Sequence, residues 1–451
     1  MNVIVIGCGR IGRTLVEKLN GEGHQVTVVD TSADKIKDVS VRYDVKGVVG
    51  NGATYTVQRE AGVDTADLLI AVTNSDELNL LCCIVAKKEG KCQTVARVKN
   101  PEYSQDAPYL KEQLGLSMVI NPEYVAAEEI ARVLRFPTAL KIEPFAKGKV
   151  ELIKFRLAKD SPLIGLSVKE MAIKYHADLL VCTIERGDEA HIAHGEFVFE
   201  ERDVVSIVAA PKTANEFFTK TKQTSGHIKN ALVVGGGVIT QYLGGILERS
   251  GIRLRIMEKD FKRCEELSGM WPKYDIIHGD ASDHDLLMEE GVSTAGAFVA
   301  LANFDEENIL LSVFAKSVGC NKLITKINRI DYDHVLNQLD LDTIICPKNI
   351  TADILVRYVR AMQNSMGSNV ETMYNIIQDK VEASEFIVKE NSPVIGVPLS
   401  KLKFKPDVLV ASITRDKQVI IPRGQDSIQT GDAVVIVSKH LGLHDISEVL
   451  R

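Results

Sequence analysis

The sequence predicts an α/β protein made of two tandem Rossmann-type domains. Each domain is expected to contain a doubly wound parallel sheet and to be followed by a small α+β domain. Three observations predict this fold class. A strand, a glycine-rich turn and a helix begin the chain, the same pattern returns near residue 231, and a short unit of alternating strands follows each copy.

The first glycine motif has the features of a dinucleotide site. Residues 2–6 (NVIVI) form a short apolar run typical of a buried parallel strand, the GCGRIG loop follows, and the next strand ends on Asp30. Gly7 is expected to make the tight turn, Gly9 to admit a pyrophosphate, and Gly12 to let the helix pack on the strand. The helix N-terminus attracts phosphate, and Asp30 can accept hydrogen bonds from a ribose diol. The alternative is a tight turn without a ligand.

Composition and charge limit the function classes. The 451 residues are 45% apolar and 25% charged, with a net charge of −7, so no general attraction to nucleic acid is expected. The eight cysteines form no CxxC pair, which suits reduced thiols. No apolar run approaches the ~18 residues of a membrane-spanning helix, and Met1 leads directly into a strand. We therefore expect a cytoplasmic protein.

Four motifs repeat in nearly one register. Gly7 corresponds to Gly235 at an offset of 228, and later motifs correspond at 229. These later pairs are residues 50–53 (GNGA) with 279–282 (GDAS), 68–81 with 297–311, and 95–103 with 324–332. Chance does not maintain a register across four motifs, so the chain is predicted to be a tandem duplication.

A smaller unit ends each half. After a helix opened by Asn121-Pro122, the sequence predicts a strand at 150–157, a helix at 167–175 and strands near 179–184 and 203–209. The second half repeats this plan with strands near 386–390, 408–413 and 432–437 and a short helix near 399–403. The predicted boundaries are 1–140 and 229–370 for the Rossmann domains, 141–213 and 371–451 for the small domains, and 214–228 for the linker.

Together these motifs resemble a known family. The paired glycine loops, the GNGA and GDAS turns, the TNSDELN and ANFDEEN segments and the SPLIG and SPVIG units resemble the RCK (also called KTN) proteins that regulate potassium transport. The resemblance covers nearly the whole chain. It implies Rossmann domains that bind NAD(H) or ATP/ADP and a homotetramer that forms a ring under a membrane-embedded potassium channel or transporter subunit. It also implies that ligand-dependent rearrangement, without catalysis, opens or closes that partner.

The resemblance assigns nucleotide contacts residue by residue. It implies a phosphate loop, a ribose acceptor, a turn beside the adenosine, residues at the cofactor's edge and a cation near phosphate. In the first half these are Gly7, Cys8, Gly9, Arg10, Ile11, Gly12, Asp30, Asn51, Gly52, Thr73, Asn74 and Arg97. In the second half they are Gly235, Gly236, Gly237, Val238, Ile239, Glu258, Asp280, Ala302, Asn303 and Lys326.

Two positions depart from the family pattern. Thr240 replaces the third glycine, so we expect the second helix and strand to move apart or the loop to adjust, with weaker or different nucleotide binding. Asn51 stands where aspartate is more usual, although Asp280 keeps the acid. The ligand of the second site therefore stays open.

Other polar residues have structural interpretations. Asp76 and Asp305 are expected to cap the helices that follow them rather than to bind metal. Cys82 and Cys83 lie in an apolar run and are expected to be buried rather than redox-active. Arg10 is expected to contact phosphate.

Two other function classes compete with a regulator. An NAD-dependent dehydrogenase would need a general base and a substrate-orienting residue near the nicotinamide, and the small β-rich units show no convergent set of these. A redox-responsive repressor would need a basic helix-turn-helix segment, and none is visible.

Overall fold

The computed structural model describes the chain except for residues 136–138, 147–148, 177, 188, 222–227, 249, 321, 329–338, 340, 366–369, 378–379 and 417. Three sequence predictions lie partly outside the described residues. They are the helix end at 136–137, part of the predicted linker and the end of the 324–332 repeat.

The first Rossmann domain contains a parallel sheet with the order β3-β2-β1-β4-β5-β6 among the described residues. Its strands are β1 (Asn2–Ile6), β2 (Gln25–Asp30), β3 (Lys46–Val49), β4 (Leu68–Ala71), β5 (Gln93–Arg97) and β6 (Met118–Ile120). Its helices are α1 (Arg10–Gly21), α2 (Ala33–Tyr43), α3 (Tyr55–Ala61), α4 (Asp76–Glu89), α5 (Pro101–Gln105), α6 (Ala107–Gln113) and α7 (Pro122–Arg135). β1 pairs with both β2 and β4, so the strand order reverses there. This reversal creates the crevice in which such folds bind ligands.

The first small domain contains an antiparallel sheet with the order β10-β9-β11-β8-β7. Its elements are β7 (Ala139–Phe145), β8 (Val150–Arg156), α8 (Val168–Tyr175), β9 (Leu180–Arg186), β10 (Glu189–Ile192), β11 (Val204–Ala209) and α9 (Pro211–Lys220). The predicted alternation is confirmed, because Ile153, Phe155 and Leu157 are buried in one core. α9 occupies the start of the predicted linker, since its Phe217 and Phe218 are buried in that core.

The second Rossmann domain repeats the parallel order, β14-β13-β12-β15-β16-β17. Its strands are β12 (Asn230–Val234), β13 (Arg253–Glu258), β14 (Asp275–His278), β15 (Ala297–Ala300), β16 (Leu323–Lys326) and β17 (Thr343–Ile345). Its helices are α10 (Val238–Leu247), α11 (Phe261–Met270), α12 (His284–Glu289), α13 (Asp305–Ser317) and α14 (Pro347–Ser365). The predicted fold class of paired parallel sheets is therefore confirmed.

The second small domain repeats the antiparallel order, β18-β19-β22-β20-β21. Its strands are β18 (Val370–Ile377), β19 (Val381–Ile387), β20 (Val408–Arg415), β21 (Gln418–Ile420) and β22 (Ala433–Ser438). The strand predicted near 386–390 ends earlier, at Ile387, and the helix predicted near 399–403 is a single 3₁₀ turn, Leu399–Lys401.

A repeated ion pair supports the duplication. Arg186 forms a two-pronged pair with Asp203, with N···O distances of 2.9 and 2.8 Å, and Arg415 forms the same pair with Asp432 at 2.9 and 2.7 Å. Both aspartates are almost fully buried. A fork geometry of this kind fixes the orientation of both partners, so the two small domains share a structural device as well as a strand order.

Each compact unit of the molecule draws one segment from each half. One unit comprises Met1–Ala131 and Lys229–Val356, and the other comprises Arg132–Ile228 and Arg357–Arg451. In the first unit, Asn121 Nδ2 donates to the Tyr242 hydroxyl over 2.8 Å. In the second, residues of both small domains share one apolar core, in which Phe145 and Tyr374 meet edge to face. Among the described residues, no helix has the length and apolar character needed to cross a bilayer.

Candidate nucleotide-binding clefts

Each Rossmann domain has an open cleft at the carboxyl ends of its central strands. Predicted residues that line the first cleft are Gly7, Gly9, Asp30, Asn51, Gly52, Thr73 and Asn74. Predicted residues that line the second are Gly235, Gly237, Glu258, Asp280, Ala302 and Asn303. Most of the residues predicted to bind nucleotide thus lie together in each cleft. They occupy equivalent positions in the two domains.

The remaining predicted residues lie beside the clefts. Cys8 and Gly236 direct their N–H groups at the acidic strand ends. Gly12 is buried under the loop, and Arg10, Ile11, Val238 and Ile239 form the first turns of α1 and α10. Arg97 and Lys326 lie behind the clefts on strand-end carbonyls.

The glycine loops have the conformation that phosphate binding requires. Gly7 has a φ of +104° and Gly235 a φ of +98°, a region that disfavours residues with a Cβ atom. A Cβ on Gly7 would lie 2.9 Å from Thr73 N, and one on Gly12 would overlap the Gly7 carbonyl oxygen. The tight turn and the close approach of helix and strand therefore both depend on glycine in the first loop.

Thr240 leaves the turn of the second loop in place but changes its contact with the helix. Gly235 N donates to Met257 O over 2.9 Å, as Gly7 N donates to Val29 O over 2.8 Å. The Thr240 side chain is fully buried, and its hydroxyl donates to the Gly235 carbonyl. A Cβ on Gly12 would overlap the Gly7 carbonyl oxygen, whereas Thr240 has a Cβ and a hydrogen bond to the equivalent carbonyl, so the spacing of helix and loop differs between the two halves at this contact. The weaker or different nucleotide binding expected from Thr240 stays a prediction.

Asp30 and Glu258, the acidic residues at the ends of β2 and β13, face the clefts and also accept hydrogen bonds from the glycine loops. Asp30 accepts hydrogen bonds from Cys8 N (2.7 Å) and Ser32 N (2.9 Å), one on each oxygen. Glu258 likewise accepts from Gly236 N (2.7 Å) and Asp260 N (2.9 Å). A carboxylate oxygen accepts more than one hydrogen bond, so each acid retains capacity for a ribose diol.

Gly236 leaves little room for a side chain beside Glu258 and Leu267. A Cβ on Gly236 would lie 3.1 Å from Glu258 Oε2 and 2.6 Å from Leu267 Cδ1. Cys8 occupies the equivalent loop position beside the shorter Asp30. The shorter acid, Asp30, is thus paired with the larger loop residue, Cys8, and the longer acid, Glu258, with glycine. The spacing of the glycines alone does not reveal this correlation.

Sequence reasoning missed a cation in the first cleft. Lys35 lines this cleft, and its Nζ lies 3.9 Å from Asp30 Oδ1. Lys35 is in the first turn of α2, three residues after the Ser32 cap. In the sequence, the only indication that it faces the cleft is this position at the start of the helix that follows the acidic strand end. In the second cleft, Lys259 lies directly after Glu258.

Two buried asparagines fix the loops that form the cleft edges. Asn79 accepts from Thr73 N (2.8 Å) and donates to Arg97 O (2.9 Å). Asn308 accepts from Ala302 N (2.8 Å) and donates to Lys326 O (3.0 Å). The repeat pairs these asparagines, and the structure shows that each ties two strand ends together.

Asp76 and Asp305 do not cap their helices, which corrects the sequence interpretation. Ser75 is the N-cap of α4. Asp76 instead accepts from Lys99 N (2.9 Å) and Asn100 N (2.8 Å), in the segment after β5. Asp305 similarly accepts from the Asn328 backbone at 2.9 Å. Both carboxylates therefore anchor a distant loop.

The two strand-end cations are engaged within the protein. Arg97 donates to Thr73 O over 3.1 Å, and its guanidinium lies 3.4 Å from a Glu123 carboxylate oxygen. Lys326 donates to Leu301 O over 3.2 Å. Burial lowers the pKa of Lys326, and the charge of Arg10 lowers it further. Neither side chain lines a cleft in this structure.

Two other sequence interpretations concern cysteines and metals. Cys82 and Cys83 are fully buried, as predicted, and burial raises the pKa of Cys82 to about 12. Thiols of this kind are poor nucleophiles near neutral pH. Within the described part of the chain, histidine, cysteine and acidic side chains form no group of three or more that suits a metal ion.

Known proteins resemble the whole chain. The TrkA-N domain model matches residues 3–122 and 231–347, and the TrkA-C domain model matches residues 152–221 and 383–451. Trk system potassium uptake protein TrkA homolog 1 of Methanosarcina mazei is 30% identical over 460 residues, with 100% of both chains covered. Trk system potassium uptake protein TrkA of Halomonas elongata is 31% identical over 445 residues, covering 97% of this chain and 95% of that protein.

Solved structures share the fold. The structure titled GsuK channel bound to NAD has a TM-score of 0.65 at 16% identity, covering 97% of this chain and 76% of that one. The GsuK RCK domain has a TM-score of 0.64 at 16% identity, covering 97% of this chain and 92% of that one. At this identity the likeness concerns the fold alone.

Proposed function

This chain belongs to the TrkA family, and on that premise we propose that it is a nucleotide-binding regulatory subunit that gates a membrane potassium channel or transporter. The observation that carries the proposal is the pair of equivalent clefts at the strand-order reversals. Each combines a glycine loop at a helix N-terminus with a carboxylate at the end of the next strand. This arrangement suits a nucleotide ligand, because the loop and helix N-terminus match its phosphates and the carboxylate matches its ribose.

Family membership guides the finer assignments. We propose NAD(H), with ATP or ADP as competing ligands, for the first cleft, and a TrkH-like membrane subunit as the partner. The proposed assembly is a homotetramer in the cytoplasm, held at the inner face of the membrane by that partner. The names of the full-length relatives, which describe potassium uptake proteins, support this assignment.

Regulation by a binder requires differential affinity. A ligand shifts a conformational equilibrium only if it binds one state more tightly than the other. A shift from 1:99 to 99:1 needs about 5.5 kcal/mol in total, so four equal sites would each supply about 1.4 kcal/mol. Contacts of phosphates with a helix N-terminus are of this size. We therefore expect potassium flux to depend steeply on nucleotide concentration.

The test measures potassium flux through the reconstituted membrane subunit with the full chain, with and without NADH and ATP. Gly9→Val is the blocking variant, because a Cβ there meets no atom within 4 Å and its side chain would enter the phosphate space. Gly269→Val, at an exposed α11 position with equal free space, is the matched control. Nucleotide should change flux with the wild type and the control but not with Gly9→Val.

Two results would contradict the proposal. One is nucleotide binding by the full chain without any change in flux. The other is oxidation of NADH by the chain across a panel of carbonyl substrates, which would favour a dehydrogenase instead. A binder should leave the NADH absorbance unchanged over the same period.

A further inference from the structure

We propose that the second cleft binds a nucleoside with few or no phosphate groups, its base stacked on Phe304 and its ribose on Glu258. This inference rests on the proposed function and specifies the ligand of the second site. The backbone scaffold of the two clefts is shared, since equivalent positions line both and both loops keep the same turn. Differences in ligand must therefore come from side chains.

Charge is the first difference. Three carboxylates line the second cleft, on Glu258, Asp280 and Glu307, against one ammonium group on Lys259. Hydrogen bonds from Ser282 lower the pKa of Asp280, so this acid is ionised at neutral pH. The first cleft balances one carboxylate, Asp30, with one ammonium group, Lys35. A doubly charged pyrophosphate is therefore repelled in the second cleft and tolerated in the first.

The helix that faces the phosphates is the second difference. The first turn of α1 carries Arg10 and Arg13, whereas the same positions of α10 are Val238 and Gln241. Both helices offer N–H groups, but Arg10 has no charged counterpart on α10.

Two other guanidinium groups are engaged within the protein: Arg13 pairs with Asp38 at 2.8 Å, and Arg263 of α11 donates to Gly236 O and to Gln241. Lys326 does not compensate, because its ammonium group donates to Leu301 O. Phosphate groups gain less in the second cleft than in the first.

An exposed aromatic ring is the third difference. Phe304 lines the second cleft and is 66% exposed. The equivalent residue of the first half, Ser75, caps its helix with a hydrogen bond from Leu78 N, whereas Phe304 occupies the cap position without one. A phenylalanine therefore forgoes a cap and exposes apolar surface at a ligand cleft. Nucleic acid bases stack on such rings through their π-faces, without any need for phosphate.

The test titrates the full chain carrying Gly9→Val with adenosine and with ADP by calorimetry. Adenosine should bind with one site per chain and at least tenfold more tightly than ADP. The double variant Phe304→Ser/Glu307→Leu, in the same background, copies Ser75 and Leu78 of the first cleft. It should lose at least tenfold in adenosine affinity and gain affinity for ADP. Phe261→Ser, which removes an equally exposed ring outside the cleft, should change neither.

The inference is overturned if adenosine does not bind, if ADP binds more tightly, or if the double variant keeps its adenosine affinity. Circular dichroism establishes that the variants are folded. A further variant, Gly237→Val, distinguishes failure of this inference from failure of the proposed function. Its side chain blocks the phosphate space of the second cleft and leaves the first cleft unchanged. If this variant still binds ADP and regulates flux, the proposed function stands whatever the second cleft prefers. If it binds no nucleotide, the proposed function fails as well.

Discussion

At the scale of single residues, Asp30 has two roles that one substitution would remove together. Its carboxylate faces the first cleft and also holds the N–H groups of Cys8 and Ser32. Asp30→Ala should weaken NADH binding by about 1–3 kcal/mol, the scale of hydrogen bonds to a charged group. Calorimetric titration of the full chain measures the change. Asp34→Ala, which removes a neighbouring acid on α2, is the control.

The same residue should make the first cleft prefer NADH over NADPH. The charge of Asp30 would lie against the 2′-phosphate, and no arginine follows it directly. Lys35 opposes this effect, since its ammonium group is 3.9 Å from Asp30. Lys35→Ala should therefore widen the preference for NADH. Equal affinities of the wild-type chain for NADH and NADPH would contradict the role given to Asp30.

Lys322 should make stability depend on pH. It is 4% exposed at the start of β16, and burial lowers its pKa to about 8, although Asp342 opposes the shift. In the unfolded chain its pKa is about 10.4, so between these values the unfolded state binds more protons. Stability contributed by this site should therefore rise with pH from about 8 to 10, by on the order of 1–3 kcal/mol.

The measurement is the difference in unfolding free energy between the wild type and Lys322→Gln, which copies Gln93 of the first half. The cysteines of the unfolded chain also ionise in this pH range, but they contribute to both proteins and cancel in the difference. The wild type should gain stability relative to the variant as the pH rises. A constant difference would show that Lys322 is not held in a perturbed environment.

At the scale of elements, α10 joins the second glycine loop to the first Rossmann domain. It begins at the second glycine loop, and its Tyr242 hydroxyl accepts from Asn121 Nδ2 (2.8 Å) and donates to Lys99 O (3.3 Å). The backbone N–H of Lys99 is in turn held by Asp76, at the start of α4. These hydrogen bonds form a contact route from α10 to the segment after β5 of the first domain, and we expect a movement of the second loop to follow it.

Tyr242→Phe should reduce this coupling. Removing the hydroxyl leaves the ring in place but breaks both hydrogen bonds, which should alter the coupling free energy between the clefts by about 0.5–2 kcal/mol. The coupling is measured by titrating adenosine with and without saturating NADH, the ligand proposed for the first cleft. Tyr274→Phe removes a hydroxyl that bonds α10 at Gly244 within the second domain, and it should leave the coupling intact. Equal coupling in all three proteins would rule out this route.

Strands that pack within their own domain could be predicted from the sequence, and strands that pack against the other half of the chain could not. β1 and β4 were predictable because their apolar runs are buried on both faces of one sheet. The small-domain strands β7 and β18 were missed because they pack against the other half of the chain, as Phe145 and Tyr374 do. A local pattern contains no information about such a partner.

The sequence predicted part of the two clefts and missed the residues whose roles depend on distant partners. The glycine loops and acidic strand ends follow from spacing, so most cleft residues were found in advance. The roles of Asp76 and Asp305 were not, because Ser75 and Asp76 are both residue types that cap helices and the amide groups that Asp76 binds come 23 residues later in the chain. Lys35 was missed because its position depends on the direction in which α2 leaves the strand.

At the scale of the whole molecule, the halves are not independent folding units. The shared core of the small domains joins Phe145 and Val150 of the first half to Tyr374 and Val435 of the second. Residues 1–220 expressed alone would expose that surface. Because the two small sheets have the same strand order, this fragment should pair with a second copy of itself, bind nucleotide and fail to regulate flux.

Sedimentation equilibrium at micromolar concentration tests this expectation. Leu152→Glu, in the shared core, should convert the fragment to a monomer, whereas Ile173→Glu, at an exposed position of α8, should leave the dimer unchanged. A wild-type fragment that is monomeric and well folded would show that the shared core is not needed to complete the small domain.

The construction of each unit from both halves also has a consequence for how the duplicated copies diverge. Covalent linkage makes the pairing of the halves intramolecular, so it does not depend on protein concentration. Dilution therefore does not separate the copies. In a symmetric dimer every substitution appears on both sides, but in the fused chain Asp30 faces Cys8 while Glu258 faces Gly236. Fusion therefore lets the side chains of each cleft diverge independently, as the different acids and loop residues of the two clefts show.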